Sequence, residues 1–518
     1  MLSPPSPSQT DGAATRAHRP GKPSAVPRDD GSDASTLSRR SLLKGLGALG
    51  AGLAVAGVAG CSSSSSRSSP PTTLRPPSPN GSGAPPAAGT VKPAVIRKPG
   101  SRPNPTLPEG TDLLPKVEHI VVVQMENHSF DDHFGMLGRG DGFKLDSAGV
   151  PLDANPDPRG GYIRAFHMPS TCQLNSVPGQ DWVRSHVSWN SGRNDGFVRA
   201  STAVAMGYWD AGDVPFYYSL AKTFPVCDRF FCSVLAQTYP NRRFLLAGTA
   251  AGIVSTSGKA LSAPPPPNGT IMDRLHAHDI SWRNYYSDLP GTAVITDTIA
   301  KYPKNLVKVD QFFSDAKAGS LPAVSWVDPN FDHGSEENNA DIREGEEFVA
   351  SVINAALQSP NWSKTVLVFN YDEHGGYYDH VPPPPAIKPD NIAPGVDLPG
   401  ITGAYDRYGF RVPAVIVSPF AKKNYVSSVV HDHTSILKLI ETKWNLGALT
   451  YRDANADDLL DSLDFDNPPA FADPPKLAAA GKTGSCRPGT PGGPIPPATA
   501  VVAANSRQAA ALRIGATA

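Results

Sequence analysis

Two segments of the chain put acidic and amide side chains directly after runs of buried character. Val117-Glu118-His119-Ile120-Val121-Val122-Val123-Gln124-Met125 is followed by Glu126-Asn127-His128-Ser129-Phe130-Asp131-Asp132-His133-Phe134-Gly135. Thr365-Val366-Leu367-Val368-Phe369-Asn370 is followed by Tyr371-Asp372-Glu373-His374-Gly375-Gly376. An isolated carboxylate beside a buried strand is unfavourable, so it is usually paired, often with a cation. Oxygen donors from Glu126, Asn127, Asp372 and Glu373 would suit a hard divalent metal ion. Each segment alone is equally well read as a helix cap or a turn. Two of the same kind at two strand ends favour a metal site.

A third segment, Gln237-Thr238-Tyr239-Pro240-Asn241-Arg242, supplies a hydroxyl. Proline suits the first turn of a helix, which puts Thr238 near a helix N-terminus. The N–H groups and dipole there favour an anion such as phosphate. A threonine hydroxyl is a weak nucleophile until a base or metal activates it. Taken alone, capping the helix is the commoner role for such a threonine.

The elements that must position these groups can be read from periodicity. The two β-branched runs, with Pro413-Ala414-Val415-Ile416-Val417 and Ala323-Val324-Ser325-Trp326-Val327, suit strands of a sheet covered on both faces. Phe348, Val349, Val352, Ile353, Ala356 and Leu357 recur at helical spacing, as do Ile436, Leu437, Ile440 and Trp444, with Asp432 or Thr434 as candidate N-cap. Alternating strands and helices predict an α/β fold with a mostly parallel central sheet flanked by helices. Ligands of such sheets gather beyond the carboxyl ends of the strands, where both acidic segments lie. Residues 136–215 and 374–412 read as loop-rich insertions around that edge.

Glu126 to Gly135 resembles the E-N-R-S-F-D-H-x-F-G signature of bacterial phospholipases C and related acid phosphatases, with His128 in place of the usual arginine. Further stretches resemble the same family in the same order: Trp189 to Gly192 with Asp195-Gly196-Phe197, Met206 to Tyr218, Tyr371-Asp372-Glu373 with Asp379-His380-Val381, and His431 to Ile436. The resemblance spans residues 116–447. It implies an alkaline phosphatase-like fold, a metal held by Glu126, Asn127, Asp372 and Glu373, and Thr238 as a ligated nucleophile. It also implies a two-step reaction through a phosphothreonine. A histidine is then needed to protonate the leaving alkoxide: His333, after a strand, is the first candidate, with His186 and His374 behind it. The segment Asp332 to Asn338 follows the phospholipase pattern only loosely.

The ends of the chain carry different information. The sequence has 518 residues, and the stretches before residue 116 and after residue 466 are dominated by Pro, Ser, Ala and Gly, a composition that buries little apolar surface. Residues 62–115 are therefore expected to be a disordered linker, residues 116–466 the catalytic domain and residues 467–518 a disordered tail. Within residues 1–61, Ser38-Arg39-Arg40-Ser41-Leu42-Leu43-Lys44 is a twin-arginine pattern, followed by an uncharged apolar run and Val58-Ala59-Gly60-Cys61. This order suits an export signal with Cys61 as a lipidation site. The chain from Cys61 onward would carry 40 basic and 44 acidic side chains, a formal charge of −4, and no basic stripe. Nucleic acid is a poor partner for it. Cys172, Cys227, Cys232 and Cys486 allow one or two disulfides in an exported protein.

The leading expectation is a phospholipase C releasing diacylglycerol and a phosphorylated head group, anchored to a membrane through Cys61. The alternative is an acid phosphatase acting on monoesters. The spacing Thr238-Tyr239-Pro240-Asn241-Arg242 also fits the sulfatase motif C/S-x-P-x-R, but threonine cannot give the formylglycine aldehyde. A surface lipoprotein that kept the fold without activity would not need both a hydroxyl nucleophile and four oxygen ligands.

Overall fold

The computed structural model describes residues 96–173, 178–337 and 340–483. Its centre is one sheet of eight strands: β1 (His119–Met125), β2 (Val226–Cys227), β3 (Trp282–Tyr286), β4 (Leu306–Lys308), β5 (Val324–Asp328), β6 (Thr365–Tyr371), β7 (Ala414–Val417) and β8 (Val426–Ser427). Their spatial order is β8-β2-β7-β6-β1-β5-β3-β4. All pairings are parallel except those of β7, which runs against both β6 and β2. The four runs read as strands all lie in this sheet. Every residue of β1 and β6 is buried, as continuous β-branched runs require when helices cover both faces.

The register of the central pair matters most for the site. β1 and β6 pair from His119 with Thr365 to Met125 with Tyr371, so both strands end at the same level. Glu126 and Asp372 therefore leave the sheet side by side, and the Asp372 N–H donates to the Met125 carbonyl at 3.1 Å.

Around the sheet lie α1 (Phe130–Phe134), α2 (Trp182–Trp189), α3 (Pro215–Thr223), α4 (Thr238–Ala247), α5 (Ile342–Leu357) and α6 (His433–Trp444). Asp432 is the N-cap of α6, in a reciprocal capping box with Ser435. Residues 374–412 contain no named helix or strand, only the isolated bridges of Pro385 with Arg407 and of Arg411 with Phe231. This long segment is tied down by the fully buried Arg411. Its guanidinium donates to Asp379 and Asp131 at 2.9 Å and to the carbonyls of Asp141 and Asp228.

His380 joins the same network, with its Nδ1 2.7 Å from Asp131 and its Nε2 3.3 Å from Asp141. Burial opposes its charge, but these two carboxylates prevail and hold its pKa up to about 10. A histidine raised in the folded state stabilises fully below its unfolded pKa of about 6.5, and that contribution fades as pH rises towards the folded value. The difference in urea stability between the parent protein and His380→Gln should therefore be large at pH 6 and shrink by pH 10. A difference that stays constant over that range would contradict the assignment.

Segments on both sides of residues 116–466 pack against the domain. Gly100 N–H donates to Ala448 O, Leu113 N–H to Lys443 O, and the Asn445 side-chain amide to the carbonyls of Asn104, Leu107 and Pro108. At the other end Phe471 is buried and accepts from the Trp362 indole, while Gly481 N–H donates to Glu346. Hydrogen bonds tie residues 96–115 to the domain, whereas beyond residue 466 Phe471 also adds an apolar side chain to the core. Cys172 is disulfide-bonded, whereas Cys227 and Cys232 are free and buried, so the framework does not use all four cysteines. Among the described residues no helix is long and apolar enough to cross a membrane. The signal segment, Cys61, Asn338, Cys486 and the tail beyond residue 483 lie outside the described residues.

Candidate active site

Thr238 is the first residue of α4. The residue before it, Gln237, occupies the N-cap in an extended conformation without a side-chain cap, so Thr238 itself is not spent on capping. Its hydroxyl lies 3.4 Å from Asn127 Oδ1, the group that follows β1. Asn127 is fully buried with φ +86°, and its amide nitrogen donates to the Glu337 carboxylate. Left-handed backbone at a non-glycine residue persists where the surroundings fix it, often at functional sites.

The β6 end supplies the other half. Asp372 and Glu373 are fully buried. The Glu373 N–H donates to Asp372 Oδ1 at 2.7 Å and the Gly375 N–H to Glu373 Oε2 at 2.8 Å. Gly375 has φ +63°, and a Cβ there would lie 1.8 Å from the Asn127 carbonyl oxygen. Close approach of the two strand-end loops thus requires glycine at this position.

Among the described residues, one cationic side chain enters the cluster. Arg242, one turn beyond Thr238 on α4, places Nε 3.0 Å from Asp372, Nη2 3.7 Å from Glu126 and Nη1 4.0 Å from Asp328. Its guanidinium lies over the Phe331 ring at 4.9 Å. Burial opposes the Arg242 charge, but Asp372, Glu126 and Asp328 more than compensate and raise its pKa.

These residues fit a divalent metal. Burial, then the neighbouring carboxylates including Glu126, push the Asp372 and Glu373 pKa values well above the usual range; Arg242 partly opposes this at Asp372. Oxygen Oε1 of Glu373 is buried without a hydrogen-bond partner. An excess of buried negative charge with an orphaned carboxylate oxygen is what a hard cation relieves.

The three histidines are placed differently. His374 lies beside the cluster, with Nδ1 3.2 Å from Glu373 Oε2, and packs on Phe197 and Phe410. Burial pushes its pKa down to about 3, so it is neutral. His333 is exposed on the turn after β5, two residues from the Phe331 that covers Arg242. His186 sits in α2 with Nδ1 2.7 Å from the Trp182 carbonyl, and burial lowers its pKa.

A second group that could hold a metal is His128, His133 and Glu336, all buried. His128 stands where the resembling signature has arginine. It stacks on Tyr377, contacts the Glu126 carbonyl through Nδ1, and burial drives its pKa well below the usual value. The positive charge instead sits at His133. Burial opposes that charge, but Asp132 and Glu336 hold the His133 pKa up to about 10.

Asp328 and Glu337 are site residues that the motifs did not single out, and Arg242 entered only as the arginine of the C/S-x-P-x-R spacing, with no role. Four residues after Thr238, it lies on the same helix face. Glu337 had no comparable signal, because the turn carrying it follows no regular period.

The profile of the phosphoesterase family matches residues 117–447, which contain every element described above. The chain belongs to this family. Phospholipase C A of Mycobacterium tuberculosis (strain H37Rv) is 30% identical over 446 residues, covering 74% of this chain and 85% of that protein. A non-hemolytic phospholipase C of Pseudomonas aeruginosa is 31% identical over 406 residues, covering 68% of this chain and 58% of that protein. Among solved structures, a protein of the alkaline phosphatase superfamily from Vibrio parahaemolyticus aligns with 64% of this chain and 77% of its own, at 11% identity and a TM-score of 0.32. This phosphoesterase is a phosphoric ester hydrolase homologous to the phospholipases C.

Proposed function

We propose that this phosphoesterase is an exported, metal-dependent enzyme of phospholipase C type. It would cleave glycerophospholipids to diacylglycerol and a phosphorylated head group, with Thr238 as nucleophile. The observation that carries the reading is the convergence of the Thr238 hydroxyl, at a helix N-terminus, with ligand-type side chains from two strands that end in register. Glu126, Asn127, Asp372, Glu373 and Thr238 would hold one or two divalent ions. Such an ion supplies Lewis-acid activation of a hydroxyl and neutralises charge on phosphate oxygens.

The chain's own groups account for the rest. Thr238 Oγ1 attacks phosphorus in line, the bond to the diacylglycerol oxygen breaks, and the head-group phosphoryl is left esterified to Thr238. The first turn of α4 favours the negative equatorial oxygens. Water then attacks the same phosphorus, releasing the phosphorylated head group and restoring the hydroxyl. Burial of Asn127, Arg242, Asp372 and Glu373 keeps bulk water from the base of the site.

His333 is assigned as the acid that protonates the departing alkoxide, because it is exposed and its turn adjoins Arg242 through Phe331. His333→Ala should lower kcat by about 10²–10⁴-fold. An unchanged kcat would move the role to His186 or His374.

The substrate class is tested by supplying phosphatidylcholine and a simple phosphate monoester in parallel, with divalent metals added singly. Metal-dependent diacylglycerol release supports the reading. Monoester turnover without diacylglycerol would instead place the protein with the acid phosphatases.

The twin-arginine pattern and Cys61 support export and lipid anchoring, and the disulfide at Cys172 suits an oxidising compartment. Cys61→Ala should shift the protein from the membrane to the soluble fraction after cell fractionation. Equal membrane retention would contradict the anchor.

A further inference from the structure

We infer that Glu336 is a positioning residue that holds the ligand-bearing ends of β1 and β6 together, through Tyr371 on one side and the Ser335–Glu337 turn on the other. The inference rests on the metal-site reading above and assigns a role to a carboxylate that the proposed reaction does not use.

Glu336 is fully buried. Its carboxylate accepts from the Tyr217 hydroxyl at 2.5 Å and the Tyr371 hydroxyl at 2.7 Å, and lies 3.0 Å from His133 Nε2. Its own carbonyl accepts from the Gln173 amide at 2.9 Å. Around these bonds the backbone takes φ +72°, an unfavourable conformation for a residue with a side chain. Gly345 of α5 makes room, since a Cβ there would lie 2.2 Å from Glu336 Cγ.

What this clamp fixes is the site. Ser335, one residue before, accepts the Glu126 N–H at 2.9 Å, and Glu337, one residue after, accepts the Asn127 amide. Tyr371 immediately precedes Asp372. A single buried carboxylate is thus bonded to the arm carrying Asp372 and, through its two neighbours, to the arm carrying Glu126 and Asn127. Without it the left-handed turn loses what holds it, and the Glu126 and Asn127 groups lose their acceptors. His133 is more fully explained as part of this clamp than as a ligand, because both its nitrogens already face carboxylates: Nδ1 lies 3.1 Å from Asp132 and Nε2 faces Glu336.

The test compares the full chain with Glu336→Gln, Tyr371→Phe and Asp372→Asn by calorimetric titration with Mn²⁺, Zn²⁺, Mg²⁺ and Ca²⁺ in turn. It also measures kcat and KM on a soluble choline phosphodiester. Groups that orient metal ligands typically affect affinity by about 10–100-fold. Glu336→Gln should show a loss of that size, with kcat falling more than KM rises, and Tyr371→Phe a smaller loss in the same direction. Asp372→Asn should abolish the same binding event. If Glu336→Gln does not fold, an unchanged affinity in Tyr371→Phe overturns the inference. Binding retained in Asp372→Asn but lost in Glu336→Gln overturns it too, by placing the ion on the histidine cluster. A parent protein that binds none of the four ions overturns the metal reading itself, and the inference with it. Binding by the parent and equal binding by both clamp variants overturns the inference alone.

Discussion

Replacing Thr238 with alanine should lower kcat by at least about 10³-fold, the scale seen when a nucleophile is removed from a working site. The change deletes the one hydroxyl that meets Asn127 at the start of α4, while Gln237 keeps the N-cap and the helix keeps its buried face. Stability should therefore change little, and Thr238→Ser should retain substantial activity because it preserves the oxygen. Measuring kcat alongside a urea unfolding curve checks both parts. Full activity in the alanine variant would mean that another group attacks phosphorus.

Arg242→Met should be the most destabilising single change in the site. Arg242 is 3% exposed, and its removal would leave Asp372, Glu126 and Asp328 buried with no guanidinium among them. Removing one partner of a buried ion pair commonly costs about 3–5 kcal/mol, because the remaining charge is left uncompensated. Methionine keeps an unbranched apolar stem and removes the guanidinium that lies over Phe331. In metal-free protein the urea midpoint should fall by an amount matching that range. Adding divalent metal should recover part of the loss, since the ion and the guanidinium neutralise the same carboxylates. A variant as stable as the parent without metal would show that these carboxylates are protonated rather than paired.

The parts of the fold that could be read from the sequence are those dictated by periodicity. β1 and β6 announce themselves as unbroken β-branched runs, and α6 by its apolar spacing behind Asp432. The carboxyl-end rule then brought Glu126, Asn127, Asp372 and Glu373 to one edge. What periodicity cannot convey is partnership across distant segments. The clamp of Glu336 with Tyr217, Tyr371 and His133 joins residues from four parts of the chain. The antiparallel strand of the central sheet, β7, reads like its parallel neighbours because burial on both faces produces the same residue types in either direction. The packing of residues 96–115 was hidden for a third reason: carbonyls caught by one asparagine, Asn445, leave no mark on composition.

The measurement that bears most directly on the account is rapid acid quench of the full-length enzyme turning over a choline phosphodiester with metal present, followed by peptide mapping. The account predicts a head-group phosphoryl ester on the peptide containing Thr238, formed within the first turnover and absent from Thr238→Ala. Steady turnover with no modified peptide, or with the phosphoryl group on a different residue, would contradict it.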